Sequence, residues 1–190
     1  MTIHEPMTLA TDYALAAVTG WLSVLLFRST QRSQRFWAIA FAALALGAFL
    51  GGTWHGFVQS NLLWKATVLS VGVASFGMVV GSANAATRGK LLPILAAIKL
   101  AIYSGWMLFN DAFIFVVVDT AIAFAVVAAL HLWKWNGWIV AGIAVSIVAA
   151  LVQASGLALH QHFNHNDLYH VIQIAAMALL YRGARQLKDC

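Results

Sequence analysis

Histidines are concentrated in one short segment of this sequence, HQHFNHNDLYH at residues 160–170. A further histidine, His55, lies within the glycine-containing segment GGTWHGF at residues 51–57. A neutral imidazole is a good metal ligand, and Zn²⁺ is the usual metal of histidine-rich sites that contain no thiolate. We therefore take His55, His165 and His170 as candidate metal ligands and predict zinc as the metal.

The spacing of His165 and His170 sets a condition on this site. Five residues along a continuous helix turn through about 500°, so the two rings would point about 140° apart. His165 can face the same point as His170 only if it lies at or before the start of the helix. Asn164 or Asn166 is suited to cap that helix. Asp167 suits its positive N-terminal end.

Carboxylates on the same side of the protein provide candidates for a catalytic base. Asp167 lies in the histidine-rich segment, and Asp111 lies in a short polar connection that we expect at the same side. A carboxylate within reach of a metal-bound water can take its proton and pass it on. Asp111 and Asp167 are therefore predicted to be catalytic residues.

The composition of the chain decides what kind of protein can carry these residues. Of its 190 residues, 62% are hydrophobic and 9% are charged, whereas a soluble globular domain has about 25% charged residues. So little charge argues against a soluble enzyme, a disordered segment and a nucleic-acid-binding domain. We predict a helical integral membrane protein, with no intramolecular disulfide because Cys190 is the only cysteine.

Seven apolar windows approach the roughly 20 residues that a spanning helix needs. The connections between them are short, so residues 1–190 are predicted to form a single all-α domain, a bundle of seven transmembrane helices. The N-terminal segment has no basic region before its apolar core, so we read the first window as a retained span. The windows are Leu9–Phe27, Phe36–Val58, Leu62–Ala83, Leu91–Phe109, Ala112–Leu132, Trp138–Leu159 and Leu168–Tyr181.

Basic residues predict the orientation of this bundle. Nine of the eleven Lys and Arg residues lie in the connections after the first, third and fifth windows or at the C-terminus. Such residues mark the cytoplasmic side of a membrane protein. The N-terminus is therefore predicted outside and the C-terminus in the cytoplasm, in the plasma (inner) membrane of a bacterium. Most acids and histidines then fall at the outer side, where we expect the functional site.

Two charged residues are predicted deeper in the bundle. Lys99 is about nine residues above the inner end of the fourth window, and Asp119 is about eight residues below the outer end of the fifth. At 1.5 Å per residue these depths agree, and a tight turn joins the two windows. We predict that Lys99 and Asp119 pair, because either charge alone would be costly in a membrane.

Two motifs resemble those of a known superfamily. Gly52-Thr53-Trp54-His55 is similar to its small or hydroxyl–aromatic–histidine motif, and Asn166-Asp-Leu-Tyr-His170 is similar to its His-x-x-aromatic-His motif. The number of spans and their topology are similar as well. This is the CREST-like superfamily of seven-span membrane metal hydrolases, which joins alkaline ceramidases, adiponectin receptors, haemolysin-III-like proteins and Per1-type lipid-remodelling proteins.

The resemblance implies that His55, His170 and a third residue bind zinc, which activates a water for cleavage of a lipid amide or a related bond. Asn166 stands where the superfamily has the first histidine of the last motif, and His165 precedes it by one residue, so either is a candidate third ligand. The resemblance also implies that Asp12 stands for an acid that the ceramidase branch carries in its first span.

The leading prediction for function is an intramembrane zinc-dependent hydrolase that acts on a lipid-like amide or ester. Its substrate would enter from the lipid bilayer, because the short outer connections leave no domain for a polar substrate. The alternative is a non-enzymatic seven-helix sensor or ion or proton carrier that uses Lys99, Asp119 and the outer histidines. A haem protein with two of His55, His165 and His170 as axial ligands is a third possibility. Nucleic acid is not a predicted partner.

Overall fold

The chain is folded almost entirely into α-helices. The computed structural model describes residues 3–134 and 136–190. Within them there are seven α-helices, and the extended structure is limited to one bridge between His160 and Phe163. The helices are α1 (Pro6–Phe27), α2 (Arg32–Gly56), α3 (Asn61–Ala86), α4 (Leu91–Phe109), α5 (Ile114–Trp133), α6 (Gly137–Ser155) and α7 (His165–Ala184).

Each predicted apolar window corresponds to one helix, so the all-α class is confirmed. Several helices extend beyond their apolar windows. A helix can continue through polar residues at its end when their side chains reach out to water. The differences at the helix ends reach four residues: α2 begins four residues before the predicted Phe36, α6 ends four residues before the predicted Leu159, and α7 begins three residues before the predicted Leu168. Of the helices described, α1 to α6 are long and apolar enough to cross a membrane, and these apolar helices indicate an integral membrane protein.

Six of the helices pack in a closed cyclic order, and α4 lies outside it. Going round, α1 contacts α2, α2 contacts α3, α3 contacts α5, α5 contacts α6, α6 contacts α7, and α7 returns to α1. The helix α4 packs mainly on α3 and buries only Ala96, Tyr103 and Met107. The first and last helices are therefore neighbours, although they are far apart in the sequence.

Two glycines of α3 allow α2 to approach closely. A Cβ at Gly77 would lie 2.8 Å from the carbonyl oxygen of Phe36, and a Cβ at Gly81 would lie 2.8 Å from the carbonyl oxygen of Ser33. These oxygens belong to the α2 backbone, which cannot rotate away as a side chain can. The spacing of four residues puts both glycines on one face, so the two helices pack backbone against backbone.

Gly77→Ala should lower the free energy of unfolding by about 1–3 kcal/mol, because the added methyl group overpacks this contact. Gly105→Ala is the matched control, since no described atom outside its own turn lies within 4 Å of the Cβ position there. That control should be neutral or slightly stabilising, because alanine favours a helix more than glycine does. Thermal unfolding in detergent measures both variants, and equal midpoints would contradict the predicted close contact.

The short connections divide the bundle into two ends. The basic pole is the end that carries the connections after α1, α3 and α5 and the segment 185–190, and the histidine pole is the opposite end. The C-terminal segment crosses the basic pole, where the Cys190 N–H donates to the Asn84 carbonyl oxygen at 3.1 Å. Asp189 accepts hydrogen bonds from the backbone N–H groups of Arg32 (2.7 Å) and Ser33 (2.8 Å), which are the first two of α2. The tail thereby caps α2.

The capping contact of Asp189 should depend on pH. Its partial burial acts to raise the pKa, but backbone hydrogen bonds from Ser33 and Arg32 and the Arg32 charge outweigh this and hold the pKa of Asp189 below its usual range. A lowered folded-state pKa stabilises the fold above the unfolded value of about 3.9. That contribution is lost as pH falls through the lower folded value. The difference in unfolding midpoint between wild type and Asp189→Asn should therefore shrink between pH 5 and strongly acidic buffer, whereas a constant difference would contradict the prediction.

Candidate functional site

The site at the histidine pole starts from the close contact between α1 and α2. A Cβ at Gly52 would lie 2.8 Å from the Cβ of Asp12, and a Cβ at Gly56 would lie 2.8 Å from a methyl carbon of Leu9. Only glycine permits this approach. Asp12 is therefore held against α2, about one helical turn deeper in the bundle than His55.

The start of α7 is fixed by a capping box. The side chain of Asn164 accepts hydrogen bonds from the backbone N–H groups of Asn166 (2.8 Å) and Asp167 (3.4 Å), and Asp167 Oδ2 accepts from the Asn164 N–H at 2.7 Å. The second oxygen, Asp167 Oδ1, accepts from the Thr8 hydroxyl at 2.9 Å. Both oxygens of this fully buried carboxylate are therefore engaged in starting α7 and joining it to α1.

One turn further along α7, His170 lies between two residues of α1. Its Nε2 is 3.1 Å from Asp12 Oδ1, and its Nδ1 is 3.0 Å from Thr11 Oγ1. Both His170 and Asp12 are buried. Two bare lone pairs at 3.1 Å would repel each other, so one proton must lie between Nε2 and Oδ1. The Asp12–His170 pair is thus a unit that holds a proton inside the helical bundle.

The other oxygen of Asp12 is free to act on a ligand. Asp12 Oδ2 accepts no hydrogen bond from the described residues, and it lies 3.8 Å from the position that a Cβ of Gly51 would take. A glycine at this position leaves a gap of about one methyl group between Asp12 Oδ2 and Thr67 of α3. Asp12 therefore combines one oxygen fixed by His170 with one oxygen available for proton transfer.

A second histidine–acid pair lies nearer the surface of the histidine pole. His55 Nδ1 is 3.1 Å from Glu5 Oε2, and both side chains are partly exposed. His55 is in the last turn of α2 and Glu5 is the N-cap residue of α1. The Glu5 carboxylate suits the positive end of the α1 dipole. This outer pair and the buried Asp12–His170 pair both join α1 to another helix.

The other residues singled out in the sequence lie in different surroundings. His165 is the first residue of α7 and is half-buried, and the Asn166 side chain accepts a hydrogen bond from Gln153 of α6 at 3.1 Å. Asp111 forms an ion pair with Lys65 at 2.6 Å and accepts from the Asn61 side chain at 3.4 Å. Its contacts connect α3 to the α4–α5 connection, not to the histidine pairs.

The zinc ligands expected from the sequence are not assembled. In the described parts of the chain, no three His, Cys, Asp or Glu side chains are placed to hold one metal ion. Both ring nitrogens of His170 already face protein groups, Thr11 and Asp12. Zinc binding by His55, His165 and His170 stays a prediction from the sequence, and we derive the chemistry from the residues of the chain alone.

Sequence reasoning from the residues missed Thr11 and Glu5, and it reached Asp12 only through the resemblance. A signal was present at the start of the first apolar helix, because Thr8 lies three residues after Glu5, and Thr11 and Asp12 lie three and four residues after Thr8. Such spacing places polar groups along one face. Polar groups on one face of a spanning helix indicate a face that turns toward other helices.

The predicted pair of Lys99 and Asp119 is confirmed. Lys99 Nζ donates to Asp119 Oδ1 at 2.5 Å and to the Asp119 carbonyl oxygen at 3.1 Å, so the pair joins α4 to α5. Asp119 is almost fully buried, whereas the Lys99 side chain is 21% exposed. The other carboxylate oxygen, Asp119 Oδ2, is buried and has no hydrogen-bond partner among the described residues.

These features define a class of protein: a helical bundle with six membrane-length apolar helices and two buried acid–base pairs. The chain belongs to DUF6962, a family of unknown function, whose sequence model matches residues 7–189. No curated protein matches the chain, and no solved structure does.

Proposed function

We propose that all seven helices span the membrane, with the histidine pole outside and the basic pole in the cytoplasm of a bacterial cell. Nine of eleven Lys and Arg residues in the sequence belong to the basic pole or the adjoining helix turns, which supports this orientation. The helix α7 has 20 residues and packs between α6 and α1. Its polar groups face α1 and α6, so its composition is consistent with a span whose polar side is covered by protein.

We further propose that the protein hydrolyses a lipid-like amide or ester at the histidine pole. The observation that carries this proposal is the buried Asp12–His170 pair with its free oxygen, Asp12 Oδ2. In this reaction Asp12 Oδ2 takes a proton from the attacking water, and His170 donates to Oδ1 and holds the carboxylate in place. The proton then passes to the leaving amine or alkoxide, so that Asp12 is restored.

The surroundings of this pair favour a substrate from the bilayer. Exposed apolar side chains occur at this pole on α1, on the α6–α7 connection and on α7, including Met7, Leu159 and Val171. The connections at this pole are short and supply no separate domain for a polar substrate. A lipid can approach sideways along these apolar surfaces, with its polar bond at the depth of Asp12.

The test is hydrolysis by the purified full chain in detergent, on matched lipid substrates. A fluorescent N-acyl lipid, its ester counterpart and a non-hydrolysable ether counterpart would be compared, with elemental analysis of the same protein. We expect release of fatty acid from the amide or ester, in proportion to protein. No hydrolysis of either lipid would overturn the proposal, and one zinc per chain would support the metal site predicted from the sequence.

A second candidate function, a proton or ion carrier, is favoured by the Lys99–Asp119 pair. An acid with one bound and one unpartnered oxygen inside a bundle is a group that can exchange a proton or a small cation. Proteoliposomes that enclose a pH-sensitive dye would show a protein-dependent proton flux if this function is correct. A flux equal to that of empty liposomes would exclude it.

A further inference from the structure

The basic pole contains a cavity of about 350 Å³ between the starts of α2 and α4 and the end of α3. Its walls include three cationic side chains, Arg32, Arg88 and Lys90, and the polar side chains of Asn84 and Thr87. The cations come from two different connections of the chain and meet only in the folded structure. A cavity of this volume is in the range of small-ligand sites.

The protein offsets the three cations only in part, through the Asp189 carboxylate on which the Arg32 charge acts. The ion pairs formed by the described residues do not include Arg32, Arg88 or Lys90. One carboxylate, that of Asp189, also lines the cavity. Both of its oxygens accept hydrogen bonds from backbone N–H groups at the start of α2, so it acts as the cap of that helix. The cavity therefore keeps an excess of positive charge.

The helix α4, which begins directly after Lys90 of this cavity, exposes an apolar face. Leu91, Ile94, Leu95 and Ile98 are all exposed, and they follow Lys90 toward the middle of the helix. The helix α4 lies outside the ring of the other six helices, so this surface faces the bilayer. Cations at the membrane boundary beside an exposed apolar stripe fit a ligand that has a phosphate group and hydrocarbon chains.

We propose that this cavity binds the headgroup of an anionic phospholipid, with the acyl chains lying along α4. The guanidinium groups of Arg32 and Arg88 can each contact phosphate oxygens through two N–H groups, and Lys90 adds a third charge. The site is independent of the proposed hydrolysis, because it lies at the opposite pole and shares no residue with it.

Binding to the full chain in uncharged detergent tests the proposal. The probes are dioctanoyl phosphatidylglycerol, dioctanoylglycerol without phosphate, and glycerol 3-phosphate without chains. We expect the phospholipid to bind with at least about 10-fold higher affinity than either partial ligand. Equal affinity for glycerol 3-phosphate would assign the cavity to soluble phosphorylated ligands and overturn the lipid proposal, as would equal affinity for dioctanoylglycerol.

Charge-matched variants separate the cavity from the general charge of this pole. The triple variant Arg32→Gln, Arg88→Gln, Lys90→Gln should lower phospholipid affinity by about 100-fold, since each juxtamembrane cation contributes about fivefold. The control variant Arg28→Gln, Arg35→Gln, Lys188→Gln removes the same charge from residues outside the cavity lining and should lower it by less than about threefold. Equal losses of phospholipid affinity in the two variants would refute the proposed site. It would also be refuted if the cavity variant lost no affinity while its unfolding midpoint stayed unchanged.

Discussion

Asp12→Asn should reduce hydrolysis of the lipid substrate by about 10²–10⁴-fold in kcat/KM, the usual contribution of a positioned general base. Asparagine has the same shape, and its carbonyl oxygen can still accept a hydrogen bond from His170 Nε2. The amide cannot take a proton from water, so the chemical step is lost while the contact between α1 and α7 is kept. The measurement is steady-state release of fatty acid by the purified variant.

Two further variants make this result specific. Asp111→Asn changes a carboxylate at the same pole that is paired with Lys65, and it should leave the rate within about threefold of wild type. His170→Asn tests a positioning role: it should lower kcat more than it raises KM and should change the pH profile of kcat. Wild-type activity in Asp12→Asn would contradict the mechanism, and a rate loss only in Asp111→Asn would instead support the base expected from the sequence.

Lys99→Met should lower the free energy of unfolding by about 3–5 kcal/mol, as is usual when one partner of a buried ion pair is removed. Asp119 stays almost fully buried and loses its charged partner, because methionine fills the space of the lysine stem without a donor. Reversible unfolding in mixed micelles measures the change. Lys90→Met, at the exposed start of the same helix, is the control and should change stability by less than about 1 kcal/mol.

The double variant Lys99→Met, Asp119→Leu distinguishes a structural pair from a transporting one. It removes both charges, so most of the lost stability should return, leaving a net change within about 1–2 kcal/mol of wild type. If the pair carries protons, flux into proteoliposomes should be absent in both the single and the double variant. Restored stability with unchanged proton flux would exclude the carrier function. If stability is not restored, the predicted contribution of the Lys99–Asp119 pair to the free energy of unfolding would be wrong.

The helices could be predicted from the sequence because the burial of apolar residues in lipid or protein requires long uninterrupted windows. Their ends could not, because polar residues at a helix end are stable both inside the helix and outside it. The segment before Leu168 shows this: Asn164 could be recognised as a possible cap, but its two hydrogen bonds and the return contact from Asp167 exist only in the folded turn.

For the site residues, the depth along a helix could be predicted from the sequence, but the direction in which a side chain points around the helix could not. The Lys99–Asp119 pair could be predicted because a tight turn joins the two helices and their depths agree. The partners of Asp111 and Asp167 could not, because each depends on which neighbouring helix its side chain faces. Lys65 reaches Asp111 from α3, and Thr8 reaches Asp167 from α1. These contacts depend on tertiary packing and not on residue type or local spacing.

The contact between the first and last helices has a consequence for how the protein is made. During synthesis five helices are made between α1 and α7, so Asp12 does not meet His170 until α7 has been inserted. Thr8 likewise gains its acceptor, Asp167, only at that point. The residues proposed to carry out chemistry thus also close the bundle, and a chain interrupted before α7 would keep an unpaired acid inside its first helix. Insertion of α7 and assembly of the proposed site are one event.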